Sequence, residues 1–277
     1  MKNWTPYPVL RKLCLGTLFV VMLWPSPRCL FGQTTPAQTA ATPEIPDWAL
    51  PSGPNHKQYP PPEDFHRPTK TFDTPIGIFQ GQSDVGGPLV PGNASYDAKT
   101  RQYTVTSAGY NIWYTRDEFR YLWKKMSGDV SFAADVSFAV PQDPPHDRKV
   151  VLVIRQDLAD DSKEIMTAEH GTGMVHLAVR AEKDTLIKDM QYRIGGSLLE
   201  GMMPQRIGIE KHGDEFSLFI SVKGETMHQY GPSIHLHLDG LFYVGIGFCS
   251  HYPVTPDTGV FSNVLLANRA GKLRKSS

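Results

Sequence analysis

The sequence has little cysteine, no excess charge of either sign, and none of the short motifs that identify common enzymes. Its 277 residues include 28 Lys and Arg against 28 Asp and Glu, so the formal net charge is zero. A neutral chain has no field that attracts nucleic acid or an anionic membrane, so we expect no nucleic-acid partner. G-x-S-x-G, H-E-x-x-H and P-loop motifs are also absent, which leaves the reactions that depend on them without support.

The three cysteines exclude a disulfide framework. Cys14 and Cys29 lie in or beside an N-terminal leader, so the mature chain keeps only Cys249. One cysteine cannot form an internal disulfide, and an exported domain must then depend on its apolar core. Cys249 follows the strand-like run "YVGIGF", so we predict a buried, unreactive thiol.

The N-terminal region predicts export. A charged start, "MKNWTPYPVLRK", precedes the apolar run "LCLGTLFVVMLW" and the helix-breaking "PSPR". This order is typical of a secretory signal peptide, here residues 1–32, and the apolar run is shorter than the ~20 residues of a membrane-spanning helix. We therefore expect a periplasmic or extracellular protein with no transmembrane segment after signal removal. Residues 33–70 are rich in proline and predict a disordered linker.

Residues 71–268 show no long helical period and read as β-strands almost throughout. β-Branched and aromatic residues fill runs such as "DVSFAADVSFAV", "KVVLVIRQ" and "EFSLFISV", with Gly, Asp, Asn or Pro between them. Many short strands without βαβ alternation predict an all-β fold, an antiparallel two-sheet sandwich. The basic tail at 269–277 is expected to be a solvated end.

Several motifs in this region form an ordered series from about Phe79 to Leu266. They include "GQSDVGGP", "YDAKTRQYTVTSAGYNIWYTRDEFRYLWKKMSGDVSF", "HGTGMVHLAVR" and "YVGIGFCSHYPVTPDTGVFSNVLL". The series resembles the concanavalin A-like lectin/glucanase modules of unknown function in exported bacterial proteins, notably those ahead of TolB-type β-propellers. The resemblance implies a jelly-roll sandwich with one concave sheet, in a family usually assumed to bind carbohydrate or a cell-surface polymer. It carries no established catalytic residues.

The aromatic stretch "AGYNIWYTRDEFRYLW" predicts two different roles. Phe119, Tyr121 and Trp123 alternate along one strand face, which is typical of a sandwich core. In "YNIWYT", an inward Ile112 would turn Trp113 towards solvent or a groove. An exposed indole is a surface on which the C–H face of a sugar can stack.

The function predicted from these patterns is non-catalytic binding of a carbohydrate or envelope polymer on the concave sheet. The predicted ligand contacts, by stacking and hydrogen bonding, are Trp113, Tyr110, Arg155 and His170. Arg155 interrupts an apolar strand, and the sequence leaves open whether it is an edge charge or a donor on the concave face. Two alternatives also stay open: a glycoside hydrolase or lyase of this fold, and a scaffolding component that binds a protein partner.

"KEIMTAEH" is the segment that most resembles a catalytic strand. Glucanases of the concanavalin A-like fold carry acidic residues in the pattern E-I-D-x-E or E-I-D-x-x-E, on one face of a strand. Here Met166 occupies the middle acidic position. Glu164 and Glu169 are five residues apart and should face opposite sides of the strand. We therefore predict no catalytic residues.

No cofactor or metal is predicted, although two patterns leave metal binding open. His235 and His237 alternate in "SIHLHLDG" and could hold a divalent ion with a third ligand. The acidic segment "DLADD" could place oxygens around a structural calcium ion. A polar strand face and a solvated loop are the simpler interpretations of the two patterns.

Overall fold

The computed structural model describes residues 67–140, 147–193, 203–222 and 224–275. The predicted signal peptide and the linker as far as residue 66 lie outside the described residues. Within them, the regular elements are sixteen β-strands and one short 3-10 turn, Leu273–Lys275. The all-β prediction is confirmed. The first strand begins at Lys70, one residue before the predicted start of the sandwich.

The strands form two antiparallel sheets, named here sheet I and sheet II. Sheet I has the order β1 (Lys70–Phe72), β2 (Gly81–Val85), β5 (Phe119–Met126), β15 (Phe242–Cys249), β7 (Lys149–Arg155), β8 (Glu164–His170), β9 (Met174–Arg180) and β10 (Lys188–Arg193). Sheet II has the order β13 (His228–Gln229), β12 (Glu215–Ser221), β11 (Arg206–His212), β6 (Val130–Phe138), β16 (Asp257–Ala267), β4 (Gln102–Ser107) and β3 (Asn93–Asp97), and β14 (Ile234–His235) pairs with β12.

The inner faces of the two sheets share one apolar core. Because side chains alternate along a strand, Phe216, Leu218 and Ile220 of β12 all point into this core, as their spacing predicts. A turn at "HGDE", of the Gly/Asp type, closes the hairpin between β11 and β12, with His212 paired to Glu215. Gly213 has a φ of 57°, a conformation that glycine adopts without a steric cost.

A second apolar layer covers the outer face of sheet I, where the sequence did not predict one. Phe119, Tyr121 and Trp123 belong to this outer layer, whereas Leu122 points into the core between the sheets. The predicted place of the aromatic trio in the inter-sheet core is therefore wrong. The alternation of side chains along β5 shows that the three rings share a face. It does not show which face is the inner one, because both faces of this strand are buried.

Three connections cover the outer face of sheet I and are together called the cover: residues 108–118, 156–163 and 181–187. The amide of Asp117 donates to the carbonyl of Asp160, and the amide of Asp184 donates to that of Asp161. Arg116 also forms ion pairs with the side chains of Asp160, Asp161 and Asp184. Most of the face that was expected to be free for a ligand is therefore buried. In the segment "DLADD", which was considered for calcium, the carboxylates of Asp160 and Asp161 form ion pairs with Arg116.

The basic tail is packed against sheet II. Leu273 is fully buried against Ala133, Phe219 and Met227 on the outer face of that sheet. The expectation of a solvated end fails at Leu273, which covers an apolar patch, whereas Gly271 and Arg274 on either side of it are exposed. No helix among the described residues is long and apolar enough to span a membrane.

Candidate functional site on the outer face of sheet I

The outer face of sheet I carries polar side chains in two separate groups. Arg155, Glu164 and Arg180 lie side by side on β7, β8 and β9; with Asp117 of the cover they form the arginine–carboxylate cluster. Lys149 and His170 lie opposite each other at the other ends of β7 and β8, close to His176 of β9. With Asp147 and Asp189 they form the histidine cluster. Val151, Val153, Met166, Ala168 and Ala178 separate the two clusters.

The arginine–carboxylate cluster fastens the cover to the sheet. Asp117 accepts hydrogen bonds from Arg180 Nη1 at 2.8 Å, Arg180 Nη2 at 2.6 Å and Arg155 Nη2 at 3.2 Å. The side chains of all three residues are 0% exposed. Arg155 Nε also donates to the carbonyl of Asp157. Two nitrogens of Arg155, Nε and Nη2, therefore donate to the cover, and the side chain is 0% exposed.

Glu164 completes this cluster, and its pKa is unusually high for a carboxyl group. Its carboxylate oxygens lie 3.3 Å from Arg155 Nη1 and 3.6 Å from Arg180 Nη1, and neither oxygen has a hydrogen-bond partner. Burial, and then the neighbouring charge of Asp117, raise the pKa of Glu164 to about 7, outweighing the two arginines. The group therefore holds a proton in weakly acidic solution.

The histidine cluster also contains buried polar atoms without hydrogen bonds, but most of them belong to imidazole rings and do not lie between arginines and carboxyl groups. Asp147 is hydrogen-bonded to His170 Nδ1, whereas His170 Nε2 and both ring nitrogens of His176 have no hydrogen-bond partner. Asp189 Oδ2 also accepts no hydrogen bond and lies 3.8 Å from His176 Nδ1. Burial lowers the pKa of both imidazoles, most strongly that of His176, so both are neutral at neutral pH.

Trp113, which belongs to the cover, lies over this cluster. The indole is half-buried and stacks on the His176 ring, with centroids 5.4 Å apart and planes 9° apart. Lys149 Nζ is 4.9 Å from the indole centroid and donates to Asn111 Oδ1 at 2.6 Å. Because His176 and Lys149 both rise from sheet I, they support the indole from the sheet side.

The structure places the four predicted contact residues in different surroundings. Trp113 and His170 both belong to the histidine cluster, whereas Arg155 lies in the arginine–carboxylate cluster. Tyr110 is 2% exposed and stacks on His251, with centroids 5.7 Å apart; burial raises the pKa of its hydroxyl. Tyr110 therefore supports the cover from within.

Sequence reasoning missed His176, Lys149 and Asp189. A signal was available for His176, since a polar residue within the apolar run "MVHLAV" marks a special position, as Arg155 does in "VLVIRQ". Lys149 and Asp189 gave no such signal, because each stands at or near a strand end where charged residues are common.

The register of β8 separates its two glutamates. Glu164 lies beside Arg155 on the outer face, whereas Glu169 lies between Val150 and Val175 on the inner face. Met166 belongs to the outer apolar layer. The prediction that the two carboxyl groups face opposite sides is confirmed, and β8 presents no pair of acids on one face. Burial raises the pKa of Glu169 well above its usual range.

Comparisons with known proteins found structural neighbours of low sequence identity. No family model and no curated protein sequence matches the chain. Among solved structures, a functionally unknown protein from Saccharomyces cerevisiae matches with 12% identity over 67% of this chain and 95% of that chain, at a TM-score of 0.49. Lectin I-B4 from Griffonia simplicifolia, in metal-free form, has 9% identity over 64% of this chain and 90% of that chain, at a TM-score of 0.37. Bacillus licheniformis beta-glucanase has 10% identity over 74% of this chain and 96% of that chain, at a TM-score of 0.38.

The strand order itself shows that the chain is an antiparallel two-sheet sandwich. At TM-scores below 0.5, what these proteins bind is not transferred to it.

The other sites considered from the sequence are solvent-exposed or already paired. His235 and His237 are exposed; their Nδ1 atoms lie 3.2 Å from Glu215 and 2.9 Å from Asp214. Among the described residues, no group of three or more His, Cys, Asp or Glu side chains could hold a metal ion. Cys249 is buried on sheet I, and burial raises the pKa of its thiol to about 12. The prediction of an unreactive thiol is confirmed.

A groove of about 520 Å³ lies on sheet II, away from both clusters. Its charged groups are satisfied within the protein: Arg206 Nη1 lies 2.6 Å from Asp135 Oδ1, and Asn263 donates to the same carboxylate. The groove therefore offers no unsatisfied polar group comparable with those of the histidine cluster.

Proposed function

We propose that this protein binds a carbohydrate or a cell-envelope polymer, and that the ligand stacks on Trp113 at the edge of the cover. The observation that carries the proposal is the half-exposed indole held flat against His176. An aromatic ring fixed in this way offers apolar area to the C–H face of a pyranose without losing further side-chain freedom on binding.

The polar atoms beneath the indole support a ligand rich in hydroxyl groups. His170 Nε2, the nitrogens of His176 and Asp189 Oδ2 have no hydrogen-bond partner. A buried polar group left unsatisfied costs roughly 1–3 kcal/mol. A neutral imidazole offers one donor and one acceptor, and a sugar hydroxyl can serve as either partner. A glycan would recover part of this cost only where one of its hydroxyl groups reaches these atoms past the edge of the indole.

The proposed contact set is narrower than the four residues predicted from sequence. Trp113 supplies the stacking surface, and His170 supplies a hydrogen-bonding nitrogen. Tyr110 and Arg155 hold the cover in place, because both are buried and engaged with the protein itself. His176 is 0% exposed and supports the indole from beneath.

The test is a titration with soluble polysaccharides that differ in sugar and linkage, followed by tryptophan fluorescence and calorimetry. We expect Trp113→Ala to weaken binding at least tenfold, about 1.4 kcal/mol. Phe72→Ala is the matched control, since Phe72 is an exposed aromatic side chain at the far edge of sheet I, and we expect no change. The proposal is contradicted if no polysaccharide binds, or if Trp113→Ala binds as tightly as the wild type.

A second candidate, glycoside hydrolysis, is favoured by one observation only. Glu164 combines a pKa of about 7 with a neighbouring carboxylate, Asp117, and such unequal pairs supply an acid and a base in glycosidases. Both side chains are 0% exposed beneath the cover, so a substrate would need the cover to open. Release of reducing ends that disappears in Glu164→Gln would favour this candidate over simple binding.

A further inference from the structure

We propose that the cover is a lid over the outer face of sheet I, which opens as one unit about a hinge near Ile112. Arg180 is the catch that holds this lid closed. Opening is a property of the free protein and does not depend on glycan binding at Trp113. It exposes a floor of aromatic and polar side chains that the closed protein buries.

The guanidinium of Arg180 donates all five of its N–H groups to the cover. Nε donates to the carbonyl of Thr185 at 3.2 Å, Nη1 to that of Ser162 at 3.0 Å and Nη2 to that of Tyr114 at 3.1 Å. The other two N–H groups donate to the carboxylate of Asp117 at 2.8 Å and 2.6 Å. These acceptors are spread over all three segments of the cover, so one side chain of β9 holds the whole of it.

The three segments are also joined to one another. The amide of Asp117 donates to the carbonyl of Asp160, and the amide of Asp184 donates to that of Asp161. Arg116 adds ion pairs to the last three of these residues. Because these bonds lie within the cover, they do not have to break when it leaves the sheet, so we expect the three segments to move together.

The start of segment 108–118 is attached to the sheet separately from Arg180. Lys149 Nζ donates to Asn111 Oδ1 at 2.6 Å and to the carbonyl of Ile112 at 3.4 Å. Ile112 is 0% exposed and packs in the outer apolar layer. The hinge therefore lies near Ile112, and residues 113–117 are the part of this segment that moves.

Several buried atoms beneath the lid lack hydrogen bonds while it is closed. Arg155 Nη1 and both carboxylate oxygens of Glu164 make none. Opening hydrates these atoms, which offsets part of the free energy lost when the bonds of Arg180 break. Leu158 and Ile187 of the cover are only partly buried against the outer layer. We therefore expect the lid to open at a lower free-energy cost than unfolding of the sandwich.

The floor beneath the lid combines aromatic rings with a carboxyl group. Phe119 and Tyr121 are 0% exposed in the closed protein, and Glu164 lies on the same face of sheet I. A ligand can reach this floor only while the lid is open, so the opening equilibrium limits access to it.

The test is the rate at which an uncharged maleimide labels single thiols placed beneath the lid. Cys249→Ala removes the one thiol of the mature chain. Ala178→Cys and Val153→Cys then place thiols on the outer face of sheet I, at positions that are 1% and 0% exposed. Ala134→Cys is the matched control, because Ala134 is buried in the core between the sheets. Each rate is divided by the rate of the same chain unfolded in urea.

We expect positions 178 and 153 to be labelled at equal normalised rates, roughly tenfold or more above the rate at position 134. Arg180→Lys keeps the charge but offers three donors in place of five. This change should raise labelling at position 178 roughly tenfold more than labelling at position 134. Arg206→Lys is the control, since Arg206 is paired with Asp135 on sheet II, and we expect no change.

Equal normalised rates at positions 178 and 134 would overturn the proposal, because the outer face would then open only with global unfolding. Different rates at positions 178 and 153 would show that the segments open separately and would contradict a single lid. A folded Arg180→Lys variant that is labelled at the original rate would exclude Arg180 as the catch. If Arg180→Lys does not fold, the three thiols in the chain that keeps Arg180 still decide whether the lid exists.

Discussion

Replacing Glu164 by glutamine should flatten the dependence of stability on pH, and the structure sets the size of the effect. In the folded protein, burial and Asp117 raise the pKa of Glu164 from 4.5 to about 7. In the unfolded chain the pKa of this carboxyl group returns to its ordinary value. Between these two values the folded state keeps a proton that the unfolded state releases.

The sign follows from which state binds more protons. Since the folded state binds the extra proton, the free energy of unfolding falls as pH rises from 4.5 to 7, at ~1.4 kcal/mol per pH unit. The contribution is fully present below pH 4.5 and is gone above pH 7. Over the whole window, the loss is about 3 kcal/mol.

The measurement is urea unfolding of the wild type and of Glu164→Gln at intervals from pH 4.5 to pH 8. We expect the stability of the variant, relative to the wild type, to rise by about 3 kcal/mol up to pH 7 and then to stay constant. Glu182→Gln is the control, because that side chain is 74% exposed, and its curve should run parallel to the wild type. Parallel curves for Glu164→Gln as well would refute the reasoning, since Glu164 would then titrate as it does in the unfolded chain.

Three further substitutions test the packing described above. Asp117→Ala should cost about 3–5 kcal/mol in the free energy of unfolding, because it leaves two buried arginines with one carboxyl group; Asp184→Ala, 60% exposed, should cost far less, and equal losses would contradict a special role of Asp117. Leu273→Ala should cost about 2 kcal/mol by calorimetric melting, because it uncovers Phe219 and Met227; an unchanged melting temperature would show that the tail does not pack there. Gly245→Ala should unfold the protein or cost more than about 3 kcal/mol by circular dichroism, because its methyl carbon would lie 1.9 Å from the carbonyl oxygen of Leu122; a native-like melt would contradict the close strand approach.

Strand positions were readable from the sequence because a half-buried strand alternates, and the β11–β12 hairpin shows this in detail. Its apolar and polar positions and its Gly-containing turn lie where period two and turn chemistry place them. Alternation fails for Phe119, Tyr121 and Trp123, because it tells which residues share a face but not which face is the inner one. Both faces of sheet I are buried, so the usual contrast between apolar and polar faces is missing.

The candidate site was harder to predict because loops without periodicity assemble it. Trp113 was found from its residue type and from the position of Ile112. The partner on which it stacks, His176, is 63 residues away along the chain and becomes its neighbour only through the sheet register. Arg155 was recognised as exceptional, but the residue that binds it, Asp117, lies in the cover and not on a strand.

The two polar clusters on sheet I allow a physical distinction between holding the fold together and binding something else. In the arginine–carboxylate cluster, two guanidinium groups meet two carboxyl groups within 3.6 Å, so the atoms that lack a hydrogen bond, Arg155 Nη1 and both Glu164 oxygens, still lie beside an ion-pair partner. In the histidine cluster, the imidazoles are neutral, and three ring nitrogens and a carboxylate oxygen make no hydrogen bond. A fold that only needed to fill this space could do so with apolar side chains at lower cost. The unsatisfied imidazole atoms beneath Trp113 therefore cost stability, and removing them should stabilise the protein: His176→Phe should unfold at a higher urea concentration than the wild type, and an unchanged or lower midpoint would contradict this reasoning.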